Sequence, residues 1–284
     1  MSAPTRPPLA LTGVTGALGG RVAQLLSDAG VPTRLLARSP ERAPRLPGSE
    51  VVGFAGYADR ASCTAALEGV ETLLMVSGSE SADRLDQHRA FVDAAAAAGV
   101  RHVVYTSFYG ASPTCTFTLG RDHWATEEHL RASGTATTFL RDNFYLDVLP
   151  LFAGEEGVLR GPAGEGRVAA VAREDCAAVA AVVLAAPDVH AGAAYDLTGP
   201  EALTLAEAAA AIGEAQGREV RYEDETVEQA YASRRAWDAP QWQYDAWVST
   251  YTAIAAGELD TVTDDVRRLL GRPPLDLAAV LRAG

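Results

Sequence analysis

Three glycines near the start of the chain have the spacing of a phosphate-binding turn. Gly13, Gly16 and Gly19 lie between an apolar run that ends at Leu11 and a helical pattern that begins at Arg21. In such a turn one glycine allows the tight bend, one lets the backbone approach a pyrophosphate, and one permits close helix–strand packing. The following helix points its N–H groups and the positive end of its dipole at the phosphates. The pattern predicts nucleotide binding, although purely structural corners also use three glycines.

An arginine is located at the predicted end of the second strand. About 20 residues past the glycines, an NAD-binding protein usually presents Asp or Glu to the ribose hydroxyls. Here the residue is Arg38, with Ser39 beside it and Arg42 beyond. Because a guanidinium can hold a phosphate through two hydrogen bonds, Arg38 predicts NADP(H) as the preferred cofactor. The alternative is a surface arginine that only ends the strand.

The elements that must position these residues alternate between strand and helix. Strands are predicted at 8–12, 33–37, 51–55, 73–76, 102–106 and 137–140, and helices at 18–29, 60–67, 82–98 and 122–133. Because strands joined by helical crossovers lie parallel, the pattern predicts an α/β fold with a Rossmann-like, doubly wound parallel sheet.

After residue 150 the rhythm changes to short strands interleaved with helices, and one helix begins with a capping box from Thr204 to Glu207. We expect a cofactor-binding domain over 1–150 and a smaller C-terminal α/β substrate-binding part over 151–284, interleaved with the first.

Aromatic residues cluster in the second part of the chain. The run comprises Tyr231, Trp237, Trp242, Tyr244, Trp247 and Tyr251. The helical spacing of Trp247, Tyr251 and Ile254 is typical of core packing. A lid or the wall of a substrate pocket is the alternative, because ligand pockets are mostly apolar and aromatic.

Composition excludes several classes of function. A formal net charge of −13 argues against nucleic acid or an anionic membrane as a partner. Three widely separated cysteines suggest neither a disulfide framework nor a metal motif. The longest apolar run, 176–186, is too short to cross a bilayer, and no leader-like segment precedes the first strand. We therefore expect a cytoplasmic protein without a metal.

Four stretches of the sequence resemble a known family. They are Thr-Gly-Val-Thr-Gly-Ala-Leu-Gly at 12–19, Ala-Arg-Ser-Pro at 37–40, Ala-Ala-Ala-Ala-Ala-Gly-Val-Arg-His-Val-Val-Tyr-Thr-Ser at 94–107, and Thr-Glu-Glu-His-Leu-Arg-Ala-Ser-Gly at 126–134. The chain is similar to the NmrA-like branch of the atypical short-chain dehydrogenases, in particular to its NADPH-dependent quinone oxidoreductases. The similarity runs nearly from end to end.

The resemblance implies NADP(H) binding and a set of contact residues. Phosphate contacts are implied for Gly13, Val14, Thr15, Gly16, Ala17 and Leu18, and a 2′-phosphate contact for Arg38. Contacts on the nicotinamide side are implied for Ser77, Gly78, Ser79, Asp142, Asn143 and Phe144. The last run reads Asp-Asn-Phe-Tyr where the quinone oxidoreductases have Asn-Gly-Trp-Tyr, so the substrate stays open.

The usual catalytic dyad of short-chain dehydrogenases is missing. These enzymes protonate the substrate oxygen with a tyrosine activated by a lysine four residues later, but the chain has no lysine. Its residues at the two places are Leu119 and His123. Since imidazole titrates near neutral pH, His123 is a candidate proton donor or orienting group, and a packing histidine is the alternative. Ser107, at the end of the fifth strand, is a second catalytic candidate, with a structural serine as its alternative.

Two functions follow. The first is an NADPH-dependent reductase that transfers hydride directly to a small-molecule substrate, which is a quinone or another conjugated carbonyl. For this enzyme we expect a cytoplasmic location, and a homodimer is the oligomeric state to test. The second is a catalytically silent NADP(H) sensor that binds a regulatory protein. A tailoring reductase or epimerase of a biosynthetic pathway belongs to the first class.

Overall fold

Seven strands form the main sheet of the computed structural model, which describes residues 6–283. They are β1 (Leu9–Leu11), β2 (Thr33–Ala37), β3 (Ser49–Gly53), β4 (Thr72–Met75), β5 (His102–Phe108), β6 (Ala136–Asp142) and β9 (Ala194–Leu197). Their order in the sheet is β3-β2-β1-β4-β5-β6-β9. The chain therefore winds outward from β1 in one direction and from β4 in the other, and the predicted Rossmann-like, doubly wound fold is confirmed.

The central strands are parallel and apolar. Leu11 of β1 pairs with Leu35 of β2 on one side and with Leu74 of β4 on the other. All seven residues of β5 are buried. Strands buried on both faces are typical of a parallel sheet that helices cover on each side.

Eleven α-helices lie within residues 6–283. They are α1 (Ala17–Asp28), α2 (Arg60–Ala66), α3 (Arg84–Ala97), α4 (Thr118–Ala132), α5 (Leu149–Phe152), α6 (Arg173–Ala185), α7 (Leu205–Gln216), α8 (Val227–Arg234), α9 (Gln241–Ala255), α10 (Asp265–Leu270) and α11 (Leu277–Ala283). Helix α7 begins with the predicted capping box of Thr204 and Glu207. No helix of this set is long and apolar enough to cross a membrane.

The remaining strands form two small sheets. They are β7 (Val158–Gly161), β8 (Arg167–Val168), β10 (Leu203–Thr204) and β11 (Arg221–Asp224). Strand β7 pairs in parallel with β11, and β8 pairs antiparallel with β10. Strand β8 ends at Val168, because the N–H groups of Ala169 and Val171 donate to the carbonyl oxygens of Leu259 and Phe144 instead of to a neighbouring strand.

The chain divides into two compact units, each with its own apolar core. The first consists of Met1–Ser107, Trp124–Leu140 and Cys176–Tyr195, and the second of Phe108–His123, Arg141–Asp175 and Asp196–Gly284. Residues 1–5 and 284 lie outside the described part. Each unit is built from three separate chain segments, so the two units interleave along the chain. The single domain boundary at residue 150 stays a prediction.

Candidate functional site

The three glycines of the first turn meet different surroundings. Gly13 has a φ of +66°, and a Cβ there would lie 2.8 Å from the Cβ of Val76. A Cβ at Gly19 would lie 2.5 Å from the carbonyl oxygen of Gly13, as the close approach of helix to strand requires. At Gly16 the nearest atom would be that same oxygen, at 3.3 Å. The chain itself therefore requires glycine at 13 and 19, whereas a side chain at 16 would make one tight contact, which a small shift of the Gly13 carbonyl would relieve.

The six residues predicted to contact phosphates lie together at the start of α1. The side chains of Val14 and Leu18 are buried in the first unit's core, while Thr15, Gly16 and Ala17 are exposed. Gly16 is the N-cap of α1 and supplies no side chain to cap the helix. The first N–H groups of a helix have no intrahelical acceptor, so this exposed turn offers backbone donors to an anion.

Arg38 lies at the end of β2 and is exposed. Its side chain passes over Gly56, where an added Cβ would lie 3.3 Å from the Cδ of Arg38. Within residues 6–283, Arg38 forms neither an ion pair nor a side-chain hydrogen bond. An exposed guanidinium without a carboxylate partner is suited to bind a phosphate.

Side chains from three elements hold the segment that follows β4. The Val76 N–H donates to Oγ1 of Thr12, and the Val76 carbonyl oxygen accepts from the Tyr57 hydroxyl at 2.6 Å. The Ser77 N–H donates to Oγ1 of Thr106 at 2.8 Å. Because the strand has ended, no neighbouring strand satisfies these backbone groups. This segment, 76–79, includes the predicted residues Ser77, Gly78 and Ser79, and Val76 lies against Gly13 of the phosphate turn.

A buried histidine lies beside the same segment. The Gly78 N–H donates to Nε2 of His88 at 2.8 Å, and Nδ1 of His88 lies 2.9 Å from Oγ1 of Thr126. Burial, followed by the positive charge of Arg84, lowers the pKa of His88 to about 3. His88 is therefore neutral near pH 7, with Nε2 as a hydrogen-bond acceptor.

Ser107 donates its hydroxyl hydrogen within the protein. Its Oγ lies 2.6 Å from Oε1 of Glu127, a carboxylate of α4 that is fully buried. The other carboxylate oxygen of Glu127 accepts from Arg131 at 2.9 Å. The arrangement leaves the lone pairs of Ser107, rather than its hydrogen, for any other partner.

His123 lies on α4 and is 7% exposed. Its ring centroid is 6.0 Å from that of Phe108, which in turn contacts Phe117 and Phe144. Phe117 and Phe144 meet edge to face at 5.2 Å. The ring of His123 thus lies beside an aromatic cluster of the second unit.

The predicted residues 142–144 are engaged with their own unit. Asn143 is buried; its side-chain N–H donates to the Leu259 carbonyl oxygen, and its side-chain oxygen accepts from the Phe144 N–H. Asp142 accepts from the Tyr145 hydroxyl at 2.7 Å. Phe144 is half-buried. The side chains of Asp142 and Asn143 therefore also hold the local chain in place.

The structure places the predicted residues in both compact units. Those of the phosphate turn, Arg38, the 77–79 segment and Ser107 belong to the first unit, and His123 and residues 142–144 belong to the second. Within the first unit, the phosphate turn and the 76–79 segment are adjacent through Gly13 and Val76.

The aromatic run of the second unit divides between core and surface. Tyr251 lies against Gly161, where a Cβ would overlap its ring, and Ile254 is buried. Trp237 is 60% exposed and meets Trp247 edge to face. Core packing is therefore confirmed for Tyr251 and Ile254, whereas a lid or pocket wall formed by the exposed aromatic residues stays a prediction. An open cavity of about 350 Å³ adjoins the run, and it is lined by Glu228, Tyr231, Ala232, Arg235, Gln241 and Tyr244.

The sequence did not predict several residues that contact the 76–79 segment or Ser107. They are Thr12, Tyr57, Arg84, His88 and Thr106 around the 76–79 segment, and Glu127 beside Ser107. Most of these contacts join residues far apart in the chain, which neither periodicity nor spacing reveals. The one local signal is the separation of Arg84 and His88 by four residues, which places them on one helix face.

A protein-family model matches most of the chain. The model for the NmrA-like family covers residues 7–236. The chain belongs to the NmrA-like family. The resemblance inferred from the glycine turn and the three later stretches is thereby confirmed.

Reviewed relatives of this NmrA-like protein match over nearly the full length. Quinone oxidoreductase 2 of Escherichia coli (strain K12) is 34% identical over 276 residues, which is 95% of this chain and 96% of the relative. The (4-alkanoyl-5-oxo-2,5-dihydrofuran-3-yl)methyl phosphate reductase of Streptomyces griseus is 37% identical over 268 residues, 93% of each chain. The fold also agrees with a crystal structure of NADPH-dependent quinone oxidoreductase from Escherichia coli in complex with NADPH. That likeness has a TM-score of 0.87 at 34% identity, and covers 97% of this chain and 99% of the other.

Proposed function

We propose that this NmrA-like protein is an NADPH-dependent oxidoreductase that reduces a quinone or another conjugated carbonyl compound. Its full-length relatives are named as reductases of a quinone and of an alkanoyl-substituted dihydrofuranone. When bound, NADPH supplies the hydride. A purely regulatory NADP(H) sensor is not favoured, because relatives at 34% and 37% identity are enzymes by name.

The exposed turn at Gly16 carries the proposal. An added Cβ at Gly16 would lie 3.3 Å from the carbonyl oxygen of Gly13, which is a tight contact but a longer one than those at Gly13 and Gly19. A pyrophosphate against the exposed backbone of Thr15, Gly16 and Ala17 gives a further reason for glycine. Val14 and Leu18 turn their side chains into the core, so they would contribute through the backbone.

Arg38 is the proposed contact of the adenosine 2′-phosphate. It is exposed, it lies at the end of β2, and it has no carboxylate partner within residues 6–283. A charge-assisted bond to phosphate would cost no existing ion pair. This property favours NADPH over NADH.

The nicotinamide half is assigned to the 77–79 segment and to residues 142–144. The backbone of Ser77 and Gly78 is held by buried side chains, which gives a rigid surface to a flat ring. Asp142 and Asn143 fix the turn that carries the half-buried ring of Phe144. Preorganised groups of this kind reduce the entropy lost when cofactor and acceptor are aligned.

His123 is the proposed proton donor or orienting group, and Ser107 supports the site by a different route. Quinones and conjugated carbonyls accept hydride readily, so orientation supplies most of the rate and a weak acid suffices. Ser107 already donates to Glu127 at 2.6 Å, so we assign it an accepting and orienting role.

The test is NADPH oxidation against a panel of quinones, enones and aldehydes. We expect oxidation that depends on the acceptor, with a preference for NADPH over NADH. Saturable NADPH binding without oxidation by any member of the panel would instead identify a sensor. Cytoplasmic location, a homodimer and the lack of a nucleic-acid partner stay predictions, which fractionation, light scattering and a DNA-binding assay would test.

A further inference from the structure

Two side chains of α3 hold both backbone polar groups of Gly78. The Gly78 N–H donates to Nε2 of His88 at 2.8 Å, and Nε of Arg84 donates to the Gly78 carbonyl oxygen at 2.9 Å. Arg84 and His88 are four residues apart and therefore lie on one face of the helix. Both are buried, at 4% and 0% exposed. One helix face thus fixes a single residue of the 76–79 segment at two points.

The imidazole of His88 is itself held on its other side. Its Nδ1 lies 2.9 Å from Oγ1 of Thr126, a residue of α4 that is also fully buried. Because Nε2 accepts from Gly78, the proton of the neutral ring must be on Nδ1, where it donates to Thr126. The rings of Tyr57 and Tyr105 meet it edge to face, at 6.1 and 5.9 Å. His88 therefore has one tautomer and one orientation.

Glycine at position 78 is favoured by the small space around its Cα, and not by its backbone angles. Its φ is not positive, so other residues could adopt its conformation. An added Cβ, however, would lie 3.2 Å from Nε2 of His88 and 3.8 Å from Cδ2 of Tyr57. The segment and the imidazole are therefore closely fitted to each other.

We propose that Arg84 and His88 are positioning residues that fix Gly78, and with it the surface that the 77–79 segment presents to the nicotinamide half of NADP(H). The inference rests on the cofactor binding of the proposed function, and assigns neither residue a contact with the cofactor. Losing either bond leaves a half-buried backbone group of Gly78 without that partner, so the group must move to find another one. The adenosine half, assigned to the phosphate turn and Arg38, would keep its contacts.

The test uses two matched pairs of variants. His88→Asn keeps a donor near Nδ1 but removes the acceptor for Gly78, whereas His88→Gln places an amide oxygen near Nε2. Arg84→Met keeps the length of the side chain without a donor, whereas Arg84→Gln places an amide N–H near Nε. For each variant the dissociation constants of NADPH and of adenosine 2′,5′-bisphosphate are measured, because the second ligand lacks the nicotinamide half.

We expect His88→Asn and Arg84→Met to weaken NADPH binding by up to about tenfold, the contribution of one hydrogen bond. Binding of adenosine 2′,5′-bisphosphate should be unchanged, and each Gln variant should restore most of the NADPH affinity. Unchanged NADPH affinity in the folded Asn and Met variants would overturn the proposal, as would equal weakening of both ligands. If His88→Asn does not fold, the Arg84 pair decides. Wild-type protein that binds neither ligand would refute the proposed function itself.

Discussion

The hydroxyl of Ser107 lies 2.6 Å from Oε1 of Glu127, and both side chains are buried. A carboxylate in this environment needs every donor it has, and the other oxygen of Glu127 is bonded to the half-exposed guanidinium of Arg131. The serine therefore stabilises the fold, independently of any contact with substrate.

Replacement of Ser107 distinguishes its role in stability from a role in catalysis. We expect Ser107→Ala to lower the free energy of unfolding by about 1–3 kcal/mol, because the Glu127 carboxylate loses a buried donor. Urea unfolding measures this loss, and turnover measured on the folded fraction reports the catalytic role. The control is Ser133→Ala, directly after α4, where a half-buried hydroxyl bonds to Leu130 and Thr135, which are near it in the chain. A Ser107→Ala protein as stable as wild type would contradict the bond to Glu127.

Replacing Gly16 should affect cofactor binding, whereas replacing Gly19 should affect stability. Gly16→Val should keep the fold after a small shift of the Gly13 carbonyl, yet abolish NADPH binding by filling the space of the pyrophosphate. Gly19→Ala should instead lower stability by about 1–3 kcal/mol, because its Cβ would lie 2.5 Å from a backbone oxygen. Thermal unfolding and NADPH titration of both variants distinguish the effects. A folded Gly16→Val protein with normal NADPH affinity would refute the phosphate-binding role.

Arg38→Ala should change cofactor preference. Loss of a charge-assisted contact should weaken NADPH binding by about 1.5–3 kcal/mol and leave NADH binding nearly unchanged. Arg45→Ala, which removes an equal charge from the exposed segment after β2, is the matched control. Titration of each variant with both cofactors gives the answer. Wild-type protein that binds NADPH and NADH equally well would disprove the assignment of Arg38.

His123→Ala should lower turnover by about 10²-fold, the low end for general acid catalysis, because water can also protonate a quinone product. NADPH affinity should be nearly intact. His123→Phe is the matched control for volume, since the ring of His123 already lies beside an aromatic cluster. Steady-state kinetics with the best acceptor of the panel decide the matter. Wild-type turnover in both variants would leave the reductase in place without this proton donor.

The burial of His88 predicts acid sensitivity. Its folded pKa of about 3 is below the unfolded value near 6.5, so its contribution is complete above pH 6.5 and is lost as the pH falls toward 3. The slope approaches about 1.4 kcal/mol per pH unit. Urea unfolding between pH 6.5 and 4.5 should show a steeper loss for wild type than for His88→Gln, which cannot titrate there. Parallel curves would show that His88 does not titrate as its burial requires.

Local signals predicted much of this molecule and missed what holds the site together. The glycine turn and the capping box of Thr204 are short-range patterns, and each is present. The Asn143 amide bonds to the Leu259 carbonyl, and Glu127 bonds to Ser107. Such partners become neighbours only through the folded backbone. Sequence periodicity reports which face of an element is buried, but not the distant residue that it meets.

The seventh strand of the main sheet also affects synthesis of the chain. After β6 ends at Asp142, the polypeptide continues through residues 143–175 of the second unit and through α6 before β9 at Ala194–Leu197 completes the sheet. Until those residues leave the ribosome, β6 is an unpaired edge with open hydrogen-bonding groups. A nascent or truncated chain that ends before Ala194 therefore carries a template for intermolecular strand pairing, which the finished protein covers with its own β9.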